Sequence, residues 1–311
     1  MHDPRIHSSL EDLLAIRNDA KSLTMRSGHA SPVASSGSHR TNARGRGIEF
    51  EEVRHYQPGD DVRAIDWRVT ARLGKAHTKI FREEKERPLL VLIDQRQSMF
   101  FGSQKQFKSV FAAKLAALYL WQGMHSGDRI GGIVLGNQRL SEIKAARGKR
   151  NALRLIGELS EINQSLHNPF NNPEPIMHDM ASSLFKMGAI AKPGSHIVIF
   201  SDCYDLDNRV SNELWRLSQH SRVDIIHILD PIERELPQRG IFGISDGQNK
   251  QFLNVDNAQK QREFKEYVRQ HQHSIEQLCQ KTGCFYREIN SDLAPLDAYK
   301  FLQLTPQRLT P

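Results

Sequence analysis

The sequence predicts an α/β fold: a mostly parallel sheet with helices on both faces, preceded by a β-rich block and an N-terminal helix. Residues 89–93 (Leu-Leu-Val-Leu-Ile) and 196–200 (His-Ile-Val-Ile-Phe) are near-continuous apolar runs, the mark of strands buried on both faces. Segments with helical apolar spacing lie between such runs, and strands that alternate with helices pack as a parallel sheet. Upstream, residues 48–67 change texture to short apolar–polar alternation around the turn formers Gln57-Pro58-Gly59-Asp60.

The 311 residues are 38% hydrophobic and 25% charged, the balance of a soluble globular chain. Collagen-like and wholly disordered classes are excluded. The net charge of +7 suits nucleic acid, an anionic membrane face or an acidic partner, but it is spread too thinly to select one. No stretch reaches the roughly 18 to 20 apolar residues of a membrane span, and Met1-His2-Asp3-Pro4 opens no signal-like segment. Cys203, Cys279 and Cys284 leave at least one thiol free, which fits a reducing compartment. A cytoplasmic location is expected.

Residues 1–26 read as an N-terminal segment with one short amphipathic helix over 6–26, acidic at its start around Glu11 and Asp12. Residues 27–47, rich in Ser, Gly, His and Arg, read as a flexible basic linker. Residues 48–87 form the β-rich block, with strands expected at 48–53 and again at 62–67. The α/β domain is placed at 88–290. Its first helix is expected near 105–124, with Phe107, Phe111, Leu115 and Leu118 on one stripe and Ser103 as the cap. A strand at 128–135, a hairpin strand near 140–143, and helices at 149–161 and 176–190 follow. A strand at 196–200, a helix at 208–219 and a strand at 223–229 continue the pattern. A glycine-marked hairpin at 236–256, a helix at 258–280 and a strand at 284–289 complete it. Residues 291–311 are left as a C-terminal tail.

Open parallel sheets place ligands beyond the carboxyl ends of their strands. Two strands end in acids there, Asp94 after 89–93 and Asp202 after 196–200. The loop Asp94-Gln95-Arg96-Gln97-Ser98 resembles the Asp-x-Ser-x-Ser loop of von Willebrand factor A domains, a Rossmann-like fold. In that family the Asp, both Ser, a Thr from a middle loop and a late Asp hold Mg²⁺ or Mn²⁺. The resemblance makes Asp94, Ser98 and Asp202 the matching metal ligands. Arg96 stands where the first Ser would be, and guanidinium offers no lone pair. No Thr occurs between Thr78 and Thr282, which leaves Ser165, Asn168, Asn171 or a water for that role. A degenerate site is therefore expected, with no cofactor and Mg²⁺ disfavoured. Arg96 is expected to neutralise Asp94 and Asp202 as the cation would, and to meet a partner carboxylate.

The segment Arg54-His55-Tyr56-Gln57-Pro58-Gly59-Asp60-Asp61-Val62-Arg63-Ala64-Ile65-Asp66-Trp67, followed by Thr70-Ala71-Arg72, Lys79 and Glu83-Glu84, strongly resembles the signature of the domain of unknown function 58 family. That family joins this block to a von Willebrand factor A-like domain. The resemblance implies no established catalytic activity. It implies a MoxR-type AAA+ ATPase as partner, with other von Willebrand factor A domain proteins as further partners, in the maturation of protein complexes. Tyr56, Asp60, Arg63, Asp66, Trp67 and Arg72 are the interaction candidates of this block. On physical grounds Asp60 and Asp61 bond back to turn amides. Arg63, Arg68 and Arg72 interleave with Asp61 and Asp66 as a possible ion-pair network, and Trp67 supplies an apolar anchor.

Other constellations are weaker. His271 and His273 lie two apart on a helix, point apart, and with Cys279 and Cys284 match no zinc-finger spacing. Cys203 has no neighbouring His or Lys in sequence to activate it. The basic run Arg147-Gly148-Lys149-Arg150 with Arg154 reads as a solvated helix face. There is no phosphate-binding Gly-x-x-x-x-Gly-Lys-Ser/Thr loop and no nucleic-acid motif. The sequence thus points to a non-enzymatic interaction module. The alternatives are a divalent-metal hydrolase using Asp94 and Asp202, or a basic nucleic-acid binder whose affinity would fall steeply with salt.

Overall fold

The computed structural model describes residues 3–26, 48–57, 60–83, 88–166, 178–245 and 250–304. The linker at 27–47, the Pro58-Gly59 pair, Asn168, Asn171 and the chain after Leu304 lie outside the described residues. Two compact units form: Met1–His29 together with Arg87–Pro311, and Ala30–Glu86.

At the N-terminus the single expected helix is two, α1 (Leu10–Ala15) and α2 (Arg17–Arg26), broken at Ile16. Ser9 and Asp12 cap α1 reciprocally: each side chain accepts from the other's backbone N–H. Leu13, Ile16 and Ala20 are buried on either side of the break.

The smaller unit contains β1 (Ile48–His55), α3 (Trp67–Leu73) and β2 (His77–Glu83). β1 and β2 pair antiparallel with a bulge between Phe50 and Glu52. The strand expected at 62–67 is corrected: Val62–Ala64 is a 3-10 turn, only Ile65 bridges to Thr78, and Trp67 begins α3. The physical reason is capping. Asp61 accepts from the Arg63 N–H, and Asp66 accepts from the N–H groups of Arg68 and Val69, so these carboxylates start helical turns.

In the larger unit, β3 (Leu89–Gln95), α4 (Lys108–His125), β4 (Ile130–Gly136), β5 (Leu140–Ala146) and α5 (Lys149–Ser165) come first. Then come α6 (Met180–Ile190), β6 (His196–Ser201), α7 (Asn208–Ser218), β7 (Arg222–Leu229) and the short α8 (Pro231–Arg234). The hairpin β8 (Ile241–Ser245) and β9 (Lys250–Asn254), α9 (Ala258–Thr282), β10 (Phe285–Asn290) and α10 (Pro295–Leu304) complete it. The spatial order β10-β7-β6-β3-β4-β5 is parallel except for the antiparallel edge strand β5.

Alternate residues of β3 face opposite cores. Leu89, Val91 and Ile93 pack with α1, α2, α4, α5 and α10, whereas Leu90 and Leu92 pack with α6, α7 and α9. The single apolar stripe expected on α4 is corrected, because α4 is buried nearly all round, from Val110 to Trp121. A helix that is apolar on every side needs a second layer over it. The N-terminal helices and α10 supply that layer: Trp121 Nε1 donates to the Leu13 carbonyl at 3.2 Å, and Tyr299 meets Tyr119 edge-on at 4.8 Å. The segment left as a tail therefore contains a helix whose Ala298, Tyr299 and Leu302 are core residues.

Close approach of β3 and β4 depends on Gly132, where an added Cβ would lie 2.2 Å from the Val91 carbonyl oxygen. The chain runs from β3 to β4 on one side and returns to β6 on the other, so the topological switch falls between β3 and β6. The carboxyl ends of those strands carry Asp94 and Ser201-Asp202.

Candidate functional site at the strand ends

Asp94 is fully buried near the end of β3. Its Oδ1 accepts from Arg96 Nε at 2.9 Å and from the Arg96 backbone N–H at 3.1 Å. Its Oδ2 accepts from Arg96 Nη2 at 2.6 Å and from the Ser201 hydroxyl at 2.8 Å. The other edge of the guanidinium grips Asp205, in the loop after β6: Nη2 donates to Oδ1 at 3.0 Å and Nη1 to Oδ2. Arg96 is thus a fork between two carboxylates, the geometry in which charge-assisted pairs are strongest.

The expectation that Arg96 would also neutralise Asp202 is corrected. Asp202 Oδ2 instead accepts from Lys108 Nζ at 3.2 Å, and the same ammonium donates to Glu233 at 2.7 Å. Lys108 opens α4 and is wholly buried; the rings of Phe101 and Tyr204 cover its charge, 5.8 and 5.4 Å from their centroids. The strand ends therefore hold two internal cations where one was expected.

Electrostatics follow from this burial. Burial pushes the Asp94 carboxyl up, against the downward pull of Arg96 and the Ser201 hydroxyl. Burial alone would lower Arg96, but its hydrogen bonds to the Asp94 and Asp205 carboxylates outweigh it and keep the guanidinium charged. Burial also raises Glu233 despite Lys108, and raises the Cys203 thiol well above its ordinary value. Cys203 is consequently a poor nucleophile. It adopts the left-handed conformation (φ 58°) that turns the chain out of β6, and its N–H donates to the Ser201 hydroxyl at 3.1 Å.

Around this centre the loops are tied down. Asp230 accepts from the backbone N–H and the hydroxyl of Ser103 while it caps α8. Ser103 is therefore not the cap of α4, as its position suggested; Phe107 holds the N-cap position without a side-chain bond. Tyr204 stacks on His271 of α9 at 5.0 Å, and His227 Nδ1 meets the Tyr286 hydroxyl at 2.8 Å. A cavity of about 250 Å³ lies beside Asp205, lined among others by Asp179, Tyr204, Leu206 and Asp207.

The sequence-matched metal residues do not assemble a metal-binding set. Both Asp94 oxygens are taken, Asp202 Oδ2 is taken, and only Asp202 Oδ1 is buried without a partner. Ser98 sits exposed in the turn Gln97–Met99 and hydrogen-bonds to none of these groups. Among the described residues no group of three or more His, Cys, Asp or Glu side chains is placed to hold a metal. The donor set does not fit a resident Mg²⁺.

Tyr56, Asp60, Arg63, Asp66, Trp67 and Arg72 belong to the smaller unit. Asp60 accepts from the Gln57 N–H at 2.9 Å and pairs with Arg54 at 2.7 Å, and the Tyr56 N–H donates to Ala76. Asp61 and Asp66 accept backbone N–H bonds that start their turns, and Arg54 pairs with Asp60. Trp67 is 70% exposed at the start of α3, and Arg63 and Arg72 are exposed as well.

Sequence reasoning missed Lys108, Asp205 and Glu233. Lys108 left a signal, since a lysine interrupting an apolar helix needs either solvent or a buried counter-ion. Asp205 and Glu233 left none, because their roles depend on loops that meet only in space. No helix among the described residues is long and apolar enough to cross a membrane.

Comparison with known proteins agrees with the signature block. The chain is 26% identical over 205 residues to "Uncharacterized protein Rv1480" of Mycobacterium tuberculosis and equally to "Uncharacterized protein Mb1516" of Mycobacterium bovis. The match covers 66% of this chain and spans 62% of each relative's length. Among solved structures it is similar to the conserved hypothetical protein BatB from Bacteroides thetaiotaomicron, at 10% identity and a TM-score of 0.45. That match covers 70% of this chain and 96% of BatB. A von Willebrand factor type A protein from Catenulispora acidiphila matches at 10% identity and a TM-score of 0.37, over 73% of this chain and 43% of the other. A family model matches residues 52–274, and the chain belongs to that family, described as protein of unknown function DUF58.

Proposed function

We propose that this chain is a non-catalytic interaction module that docks a partner on its strand-end face, at a degenerate metal-ion-dependent adhesion site. The partner proposed is a MoxR-type AAA+ ATPase, with other von Willebrand factor A domain proteins as further partners, and the process is the maturation of protein complexes. The observation that carries the reading is the Arg96 guanidinium held between Asp94 and Asp205 at the switch point of the sheet. A crevice that open sheets use for ligands is here closed by ion pairs.

The same geometry argues against the hydrolase reading. Both Asp94 oxygens accept from Arg96, and Asp202 is held through Oδ2 by the Lys108 ammonium, so a single buried oxygen, Asp202 Oδ1, is left where a base with a metal would need several. Family membership is consistent with an adaptor and supplies no reaction.

The test is co-elution of the purified chain with a MoxR-type ATPase from the same genome, loaded with ATP and then treated with EDTA. A complex that survives the chelator supports docking through built-in cations. An Arg96→Ser variant, which restores the side chain of the metal-binding loop, is expected to make the complex chelator-sensitive. Absence of co-elution in every nucleotide state would overturn the ATPase assignment.

A further inference from the structure

We infer that Arg96 is a carboxylate-binding site and that Asp205 occupies it as the chain's own ligand, to be displaced by an acidic side chain of the docking partner. The inference rests on the strand-end face being the docking surface.

The two carboxylates on Arg96 are not equivalent. The Asp94 side chain is 0% exposed, whereas the Asp205 side chain is 40% exposed. Asp94 is therefore the permanent counter-ion, and Asp205 is the one a partner can reach. If Asp205 leaves, Arg96 keeps its fork to Asp94, so opening strands no buried charge. The N–H groups released are those of Nη1 and Nη2 that Asp205 had accepted from, and a planar pair of such donors recognises a carboxylate bidentately.

Neighbouring acids show what a structural carboxylate in this region does. Asp179 caps α6 and pairs with Arg209; Asp207 caps α7 and pairs with Arg209. Among the described residues the Asp205 carboxylate holds Arg96 and nothing else. The cavity beside it, lined by Tyr204 and Leu206, leaves room for the side chain once displaced. An internal ligand of this kind lowers apparent affinity by the fraction of molecules in which the seat is free. A tethered carboxylate also competes at high effective concentration.

The experiment is fluorescence anisotropy of a labelled hexaglutamate peptide at low ionic strength, with wild type, Asp205→Asn, Asp207→Asn and the double variant Asp205→Asn/Arg96→Lys. Asp205→Asn is expected to bind about tenfold to hundredfold tighter than wild type, the factor by which a charge-assisted latch depopulates the open form. Asp207→Asn removes the same charge from the same loop without uncovering Arg96, and is expected to change affinity by less than about threefold at this exposed position. Replacing the fork by lysine in the double variant should erase the gain. Equal tightening in Asp205→Asn and Asp207→Asn would reduce the effect to net charge and overturn the inference; no tightening in Asp205→Asn would do the same. Should Asp205→Asn not fold, Asp205→Ser replaces it with the same expectation. Failed ATPase co-elution alongside a positive peptide result would remove the partner's identity and leave the Arg96 site standing. Co-elution without any gain for Asp205→Asn would sink the latch alone.

Discussion

Lys108 Nζ lies 3.2 Å from Asp202 Oδ2, and neither side chain reaches solvent. One residue opens the central helix, and the other follows the strand on the far side of the topological switch. Burying an ion pair costs desolvation on both partners, and the balance holds only while both are present. Lys108→Met should therefore destabilise the protein by about 3 kcal/mol or more, because Asp202 is left buried and Glu233 loses its counter-ion. Adding Asp202→Asn should recover part of that loss, and denaturant unfolding of the two single variants and the double variant measures the coupling. Additive losses would show that the pair is not a unit.

Arg96 and Asp205 should behave unequally in the same assay. Arg96→Ala strands Asp94 in the core and is expected to cost about 3 to 5 kcal/mol. Asp205→Ala removes a partly exposed partner while Arg96 keeps Asp94, and is expected to cost about 1.4 to 2.7 kcal/mol, the tenfold to hundredfold latch expressed as energy and less than the Arg96 loss. Comparable losses would make Asp205 a structural residue.

His227 sets an acid limit on stability. Burial lowers its pKa from 6.5 to about 3, so the folded protein keeps it neutral while the unfolded chain binds a proton below pH 6.5. Stability should consequently fall as pH drops from 6.5 towards 3, by up to about 1.4 kcal/mol per pH unit for this group. His227→Gln should flatten the limb of the unfolding profile between pH 6 and 4. An unchanged slope would assign acid sensitivity to other groups.

Two glycines should respond in opposite directions. Gly132→Ala drives a methyl to 2.2 Å from the Val91 carbonyl oxygen, and separating β3 from β4 should cost about 3 kcal/mol or prevent folding. Gly157→Ala, inside α5 with nothing within 4 Å of the added carbon, should stabilise by up to about 1 kcal/mol. Thermal unfolding of both variants checks the contrast.

Most of the sheet was legible because burial on two faces leaves unbroken apolar runs, as in Leu89–Gln95 and His196–Ser201. The break at Ile16, the helix begun by Trp67 and the helix at Pro295–Leu304 were not, because each is decided by capping or by what it covers. An alternating stretch such as 62–67 cannot show that Asp61 and Asp66 will spend their carboxylates on backbone N–H groups.

At the strand ends the division has the same cause. Local sequence by itself determined the family signature, the placing of Asp94 and Asp202 at the ends of two buried strands, and the presence of Arg96 two residues after Asp94. Hydrophobic periodicity and short-range spacing are properties of the chain, and they survive without a fold. Only the tertiary structure decided which cation neutralises which acid. Lys108 reaches Asp202 and Arg96 reaches Asp205 across separations of 94 and 109 residues, through a strand order that no local pattern encodes.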